Sequence, residues 1–159
     1  MPRFPWPPLV VAAALAAAWL LSPARLGDAA TLALPGEAWT RGAGLALVAL
    51  ALAVEATAVR GLLARGTTFL PHREARALVT GGLHGFSRNP IYVAHVTLVL
   101  GCALALRSGA GACAAAATLV LLDRLAVRPE EAFLSARFGA DYEAYRARVP
   151  RWLGLRRSA

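Results

Sequence analysis

Ionisable side chains are concentrated where the last long apolar segment of the sequence ends. Residues 123–131 carry five charges within nine positions: Asp123, Arg124, Arg128, Glu130 and Glu131. Ionisable groups at a membrane boundary are costly unless they are paired or functional, so the cluster is a candidate site. A carboxylate there can accept a charge-assisted hydrogen bond from a cationic ligand. The alternative is an ordinary interfacial anchor followed by a capped helix.

A second polar stretch, SRNPIY at residues 87–92, precedes the third apolar segment. Proline suits the first turn of a helix, where its missing N–H has no partner to lose. Asn89 before it is a favoured N-cap residue, so helix capping is one interpretation of its side chain. A capped helix start explains the proline but leaves the neighbouring Arg88 and Tyr92 unexplained.

A glycine-bearing string, ALVTGGLHGF, lies just upstream at residues 77–86. Glycine permits tight turns and a close approach of the backbone to a ligand. On its own such a string is most often only a loop, so it indicates a site only together with the other two stretches.

Four apolar segments must position these stretches: residues 6–21, 43–63, 91–106 and 110–122. Apolar residues make up 58% of the 159 and the mean hydropathy is +0.54, whereas soluble domains are ~45–50% apolar. A membrane-crossing helix needs ~20 residues, which the last two segments reach by borrowing flanking residues. The sequence therefore predicts an all-α, polytopic membrane bundle of about four transmembrane helices. The last two helices form a tight hairpin, and residues 1–159 form a single domain, with two spans in 1–65 and the site region in 66–159.

Arginine supplies all 17 basic residues, and its placement predicts the orientation. The loop before the third span holds four arginines and the tail holds eight, whereas the first loop balances two arginines with two acids. The positive-inside rule then places the second loop, the tail and the N-terminus in the cytoplasm, as in a multi-pass inner-membrane protein with an uncleaved first span. Because the arginines flank apolar runs, we interpret the net charge of +8 as membrane orientation and expect no nucleic-acid partner.

Charged and aromatic residues alternate in the tail from 128 to 152. Phe138, Tyr142 and Tyr145 recur at helical spacing, Gly139 is expected to divide the segment into two helices, and Pro150 ends it. This pattern predicts a cytoplasmic helical segment that packs back on the membrane helices.

The three stretches in combination resemble a known enzyme family. LVTGG, SRNPIY and the tail string PEExxLxxxFGxxYxxYxxxVPR, within residues 66–153, are similar to the isoprenylcysteine carboxyl methyltransferase and phospholipid methyltransferase group. The resemblance implies S-adenosyl-L-methionine as cofactor, a lipophilic acceptor and no metal, and the sequence contains no Cys/His cluster with metal-ligand spacing. It leaves the catalytic residue unassigned. The cofactor contacts carried over by position are Arg76, Ala77, Leu78, Val79, His84, Asn89, Pro90, Ile91, Tyr92 and Glu130.

The family's substrate-contacting arginine falls at Ala126, so the resemblance makes the nearby Arg124 and Arg128 the expected substrate contacts. Two further residues depart from the family pattern. The family usually has His at Asn89, and a Gly commonly stands at Ala94. Asparagine keeps a hydrogen-bonding side chain but cannot carry a charge.

The chemistry of the implied cofactor fits these stretches. Glu130 can accept a hydrogen bond from its ammonium group. Backbone N–H groups at the start of the third span can bind its carboxylate. Methyl transfer is mainly a matter of positioning and requires no protein nucleophile.

Glu55 and His95 lie inside apolar segments. An unpaired carboxylate in mid-span is costly, so we expect Glu55 to pair with an arginine of the bundle. His95 is expected to be a satisfied buried histidine, with a position facing the active cavity as the alternative.

Two other functions compete with methyl transfer. One is an NADPH-dependent membrane reductase of the sterol reductase type, although the pair Glu130-Glu131 would repel a phosphate-rich cofactor. The other is a non-catalytic membrane scaffold with the same fold. The acceptor stays open between a carboxylate, such as that of a prenylated thiol, and a lipid amine.

Overall fold

The computed structural model describes residues 6–34, 36–66 and 77–154. Within these ranges the chain is helical apart from turns and an isolated β-bridge between Thr31 and Ser108, so the all-α prediction is confirmed. The helices are α1 Trp6–Leu20, α2 Pro23–Leu26, α3 Glu37–Leu63, α4 Pro90–Ala105, α5 Gly109–Leu122, α6 Arg128–Phe138 and α7 Ala140–Arg148, with 3-10 turns at Asp28–Ala30 and Gly82–Gly85 and a π-turn at Asp123–Val127.

Two helices of the described chain are long and apolar enough to cross a membrane: α3, and the continuous helix from Gly109 to Phe138. Pro7–Leu20 and Pro90–Ala105 are shorter apolar helices. The outer face of α3 carries Leu45, Leu50 and Leu52, each more than half exposed. Such a face is unfavourable in water and suits a lipid surround. The chain is a helical membrane bundle.

Two helices extend beyond their apolar segments. α3 begins at Glu37, six residues before the apolar segment at Ala43, because the helix includes polar residues at its membrane edge. The fourth span does not end at Leu122 but continues through the π-turn into α6. The wider π-turn accommodates Pro129, which lacks the N–H of a regular helical turn.

Small residues let the central helices approach closely. α4 packs against α1, α3 and α5. On α3 the buried residues Gly44, Ala51 and Ala58 recur every seven positions and form one stripe. A Cβ on Gly44 would lie 2.7 Å from the carbonyl oxygen of Gly101 on α4, so the two backbones are almost in contact. This small-residue packing is typical of helices in lipid, where van der Waals contact drives association.

The predicted hairpin is confirmed, with Leu106, Arg107 and Ser108 between α4 and α5. The left-handed residue of this turn is Arg107, with φ 51°, and not one of the glycines that mark the turn in the sequence. Ser108 then caps α5, because its side-chain oxygen accepts a hydrogen bond from the Gly111 N–H at 3.0 Å.

Replacing Gly44 by alanine should destabilise the bundle. The added methyl group meets backbone atoms of Gly101 and Ala105, which cannot move aside cheaply, and overpacking of this kind costs about 1–3 kcal/mol. Gly61→Ala on the same helix is the matched control. A Cβ there meets nothing within 4 Å, and alanine is the better helix former by ~0.5–1 kcal/mol. Thermal unfolding in detergent should give a lower Tm for the Gly44 variant alone. Equal Tm values would contradict the close α3–α4 contact.

Candidate functional site

The three polar stretches of the sequence meet at one end of the bundle, called here the loop end. The 3-10 turn Gly82–Gly85 packs against α3, and the chain then enters α4 at Pro90. The π-turn and α6 follow α5 at the same end. Helix termini bring unpaired backbone groups to this end, where a ligand can use them.

The tail is bound to the segment that leads into α4. The Tyr145 hydroxyl donates a hydrogen bond to the carbonyl of His84 at 2.7 Å, and the backbone N–H of Arg88 donates to the carbonyl of Pro150 at 3.0 Å. Tyr142, Tyr145 and Val149 form a buried apolar cluster, against which Leu78 and Phe138 pack. The predicted packing of the tail on the bundle is therefore present, and Gly139 divides it into two helices with φ 51°.

Arg151 joins the tail to both other stretches. Its guanidinium donates to the Glu131 carboxylate from Nη2 at 2.8 Å and from Nε at 3.1 Å. It also reaches Asp123 at 3.4 Å. Its backbone carbonyl accepts hydrogen bonds from Asn89 Nδ2 at 3.0 Å and from the Ser87 hydroxyl at 3.3 Å. Hydrogen bonding to Glu131 raises the pKa of Arg151, so the guanidinium stays charged.

The two neighbouring glutamates have different partners. Glu131 is 8% exposed and is held by Arg151 and by Arg88, whose Nη1 lies 3.3 Å from Glu131 Oε1. Glu130 is exposed on the surface of the bundle, and its carboxylate accepts a hydrogen bond from the Tyr92 hydroxyl at 3.0 Å. Glu131 is thus part of the framework, whereas Glu130 stands beside the first turn of α4 and is accessible to a ligand.

His84 is buried in the 3-10 turn below the tail. Burial, and then the charge of Arg65, lowers the pKa of His84 to about 4 from its usual 6.5. The imidazole is therefore neutral at physiological pH, and it contributes no positive charge to the site.

A second polar pair lies deeper in the bundle. His95 Nε2 on α4 is 3.1 Å from Glu55 Oε1 on α3. The prediction that Glu55 pairs with an arginine was wrong, because His95 lies opposite it across the α3–α4 interface. The Tyr92 and His95 rings are 6.1 Å apart between centroids, so the two polar pairs are neighbours.

The structure brings together most of the residues carried over from the family resemblance. Tyr92 and Glu130 are in contact, and Pro90 occupies the first turn of α4. Val79 and His84 are buried in the loop, whereas Ala77, Leu78 and Ile91 are half-buried. Arg76 lies outside the described residues.

Two site residues have other partners than the sequence suggested. Asn89 precedes α4, but its side chain makes no cap hydrogen bond and binds the tail instead, so the capping interpretation was wrong. The reason is that Arg151 offers a carbonyl oxygen within reach. Arg128 forms an ion pair with Asp123 at 2.6 Å, while Arg124 is exposed on the same π-turn.

Sequence reasoning did not single out Ser87 or Arg151. Ser87 is buried, and its hydroxyl accepts a hydrogen bond from the Asn89 N–H at 3.1 Å. Arg151 closes the string VPR at the end of the tail motif. Its place just after Pro150 marks the end of the tail motif, but the sequence does not indicate its two carboxylate partners, Asp123 and Glu131.

A family model described as phospholipid methyltransferase matches residues 39–141, more than half of the chain, from the third residue of α3 to the start of α7. No curated protein matches the chain, and no solved structure matches it.

Acid should destabilise the loop end through His84. Between about pH 6.5 and pH 4 the unfolded chain binds a proton that the folded His84 does not. The free energy of unfolding therefore falls as the pH falls through that window, and the full contribution of His84 is present above it. At about 1.4 kcal/mol per pKa unit the loss reaches roughly 3 kcal/mol. Unfolding measured against pH should be steeper for the wild type than for His84→Gln, which has no titrating group. Identical pH slopes would show that His84 is not buried as a neutral base.

Proposed function

Because the chain belongs to the phospholipid methyltransferase family, we propose that it transfers a methyl group from S-adenosylmethionine to a lipophilic acceptor at the cytoplasmic face of the membrane. The contact between Tyr92 and Glu130 carries the proposal. It joins the first turn of α4 to the start of α6, so two of the three motif strings meet at one accessible carboxylate.

The residues at the loop end fit the groups of this cofactor. Glu130 would accept a hydrogen bond from the ammonium group, and Tyr92 would hold the Glu130 carboxylate in place. The first-turn N–H groups of α4 have no intrahelical partner and would bind the carboxylate group of the cofactor. The cofactor supplies an activated methyl group on a sulfonium.

Orientation of the acceptor is the remaining requirement. The nucleophile must stand in line with the bond that breaks, which is a matter of positioning. The acceptor would enter from the bilayer while the cofactor enters from water, and the proposed contacts of a polar headgroup are Arg124 on the π-turn and Arg128 at the start of α6. We propose an inner-membrane, multi-pass location with both termini cytoplasmic, so that the loop end faces the cytoplasm.

Glu130→Ala should weaken the binding of S-adenosylhomocysteine by about 1.5–3 kcal/mol, the usual contribution of a hydrogen bond to a charged group. Isothermal titration on folded protein in detergent measures the change. Glu37→Ala is the control, because Glu37 pairs with Arg41 and Arg107 at the opposite end of the bundle. Unchanged affinity of the Glu130 variant would refute its role. Binding of NADPH in place of S-adenosylhomocysteine would support a reductase. If the protein binds neither molecule, the result would support a non-catalytic scaffold.

The proposed orientation predicts that the first loop and the tail lie on opposite sides of the membrane. Single cysteines at Ala24 and Arg148, both exposed, test it in a chain whose Cys102 and Cys113 have been replaced. A membrane-impermeant thiol reagent added outside intact spheroplasts should label position 24 and not position 148. Labelling of both positions from one side would refute the orientation.

A further inference from the structure

A cavity lies at the end of the bundle opposite the loop end. Its volume is about 660 Å³, and it is lined by residues of α2, the 3-10 turn at Asp28–Ala30, the start of α3 and the turn between α4 and α5. Cavities of roughly 300–1,000 Å³ are the usual size of small-molecule sites. The residues assigned to the cofactor lie at the other end, so a ligand here is independent of the proposed methyl transfer.

Arg107 contributes to this cavity a guanidinium whose contacts within the protein are long. Its side chain is 23% exposed, and Nη1 lies 3.5 Å from Glu37 Oε2. Nη2 lies 3.4 Å from the Leu34 carbonyl oxygen, and Nε is buried with no hydrogen-bond partner among the described residues. Hydrogen bonds from a guanidinium to a carboxylate are normally ~2.7–2.9 Å long. A largely buried cation with such incomplete contacts is costly, so this part of the cavity suits an anionic ligand.

The backbone of Arg107 adopts a conformation that L residues avoid. Its φ is 51°, and among the residues that the structure describes no other non-glycine residue has a positive φ. Its carbonyl accepts a hydrogen bond from the Leu32 N–H at 2.7 Å, which joins the turn to the first loop. Glycine would adopt this conformation without strain. Strained backbone concentrates at ligand and functional sites, so an arginine at this position indicates a use for its side chain.

A second arginine shares the same carboxylate. Arg41 Nη2 lies 2.8 Å from Glu37 Oε1, so the close contact of this carboxylate is with Arg41 and the long one with Arg107. Both side chains of the Arg41–Glu37 pair are more than half exposed, and such pairs contribute little stability. A guanidinium has five N–H donors, so each arginine keeps donors for a further acceptor. Their planar, forked geometry matches a phosphate group.

The cavity lies at the depth of the lipid headgroups. Trp39, beside Glu37 on α3, is 78% exposed, and exposed tryptophans are typical of the membrane interface. Leu45 lines the cavity farther along α3 and is 62% exposed. The eight residues from Glu37 to Leu45 span about 12 Å of helix. One cavity therefore contacts charged groups at the headgroup level and an apolar surface at the level of the acyl chains.

Asp28 restricts the kind of headgroup. It also lines the cavity and is exposed, so Asp28 and Glu37 balance the charges of Arg41 and Arg107. A ligand that carried only negative charge would be repelled by Asp28. A headgroup that has hydrogen-bond donors beyond its phosphate, such as the hydroxyl groups of glycerol, satisfies both the arginines and Asp28.

We propose that this cavity binds one phospholipid of the adjacent leaflet as a ligand and not as a methyl acceptor. The phosphate binds Arg107 and Arg41, and the donor-bearing headgroup points toward Asp28. An acyl chain lies along Leu45. Because Arg107 is joined to the first loop and to α3, the bound phosphate stabilises this end of the bundle.

The test uses the full chain in detergent, stripped of lipid, with phosphatidylglycerol as the probe. This lipid has a phosphate and hydroxyl groups but neither an amine nor a carboxylate, so it belongs to neither class of methyl acceptor considered above. It should raise the Tm, because it binds the folded chain. It should also slow hydrogen–deuterium exchange in residues 28–34 and 106–108, with no change in residues 77–92. Diacylglycerol with the same chains lacks the phosphate, and inorganic phosphate lacks the chains, so neither should have these effects at the same concentration.

Arg107→Gly separates a ligand contact from a structural one. Glycine is suited to a φ of 51°, so the Tm of this variant without lipid should equal or exceed that of the wild type. Because the variant lacks the guanidinium, it should bind phosphatidylglycerol about 10-fold or more weakly, the usual effect of losing a hydrogen bond to a charged group. Arg41→Gln, at an exposed position, should weaken binding in the same way. Arg148→Gln is the matched control, because Arg148 is an exposed arginine at the loop end, and it should bind like the wild type.

The outcomes are distinguishable. Wild-type affinity in Arg107→Gly or in Arg41→Gln, or no binding of phosphatidylglycerol to the wild type, would overturn the site. Slower exchange at residues 77–92 in place of 28–34 would do the same. Equal effects of diacylglycerol would exclude recognition of the phosphate, and equal effects of inorganic phosphate would exclude a lipid as the ligand. None of these results decides methyl transfer, which the binding of S-adenosylhomocysteine tests separately.

Discussion

Everything at the loop end depends on the position of Arg151. Its guanidinium is fixed by Glu131 and Asp123, and its backbone carbonyl accepts the side-chain hydrogen bonds of Asn89 and Ser87. One residue of the tail thereby connects the exit of α5 with the entrance of α4. Because burial of Glu131 without a cation would be costly, the ion pair holds the tail in one place. That placement brings Glu130 beside Tyr92.

The two polar pairs of this protein lie in different environments. The pair of Tyr92 and Glu130 is at the helix ends, where water and a polar ligand can reach it. The pair of Glu55 and His95 is inside the bundle, where an ionised group persists only with a partner. The Tyr92 and His95 rings, one from each pair, are 6.1 Å apart between centroids. Close α3–α4 packing over small residues keeps the two pairs in register.

The sequence predicts the helical bundle, the hairpin and the returning tail, because apolar runs, turn residues and aromatic spacing are local signals. Through the family resemblance it also singles out Tyr92 and Glu130 as candidate cofactor contacts. The partner of Glu55 is not predictable in this way, since it depends on which residue of α4 lies opposite α3. Asn89 shows the same limit, because its preference for capping is overridden by a carbonyl from residue 151, which is remote in sequence. Arg151 closes the tail string, but its partners Asp123 and Glu131 are remote in sequence, so only the fold reveals its role.

The central claim is that the docked tail and the loop before α4 form the cofactor site. Hydrogen–deuterium exchange of the purified protein with and without S-adenosylhomocysteine tests it most directly. The account predicts slower exchange in residues 77–92 and at the start of α6, with no change in residues 28–34 at the opposite end. Protection by NADPH and not by S-adenosylhomocysteine, or protection confined to the opposite end, would contradict it.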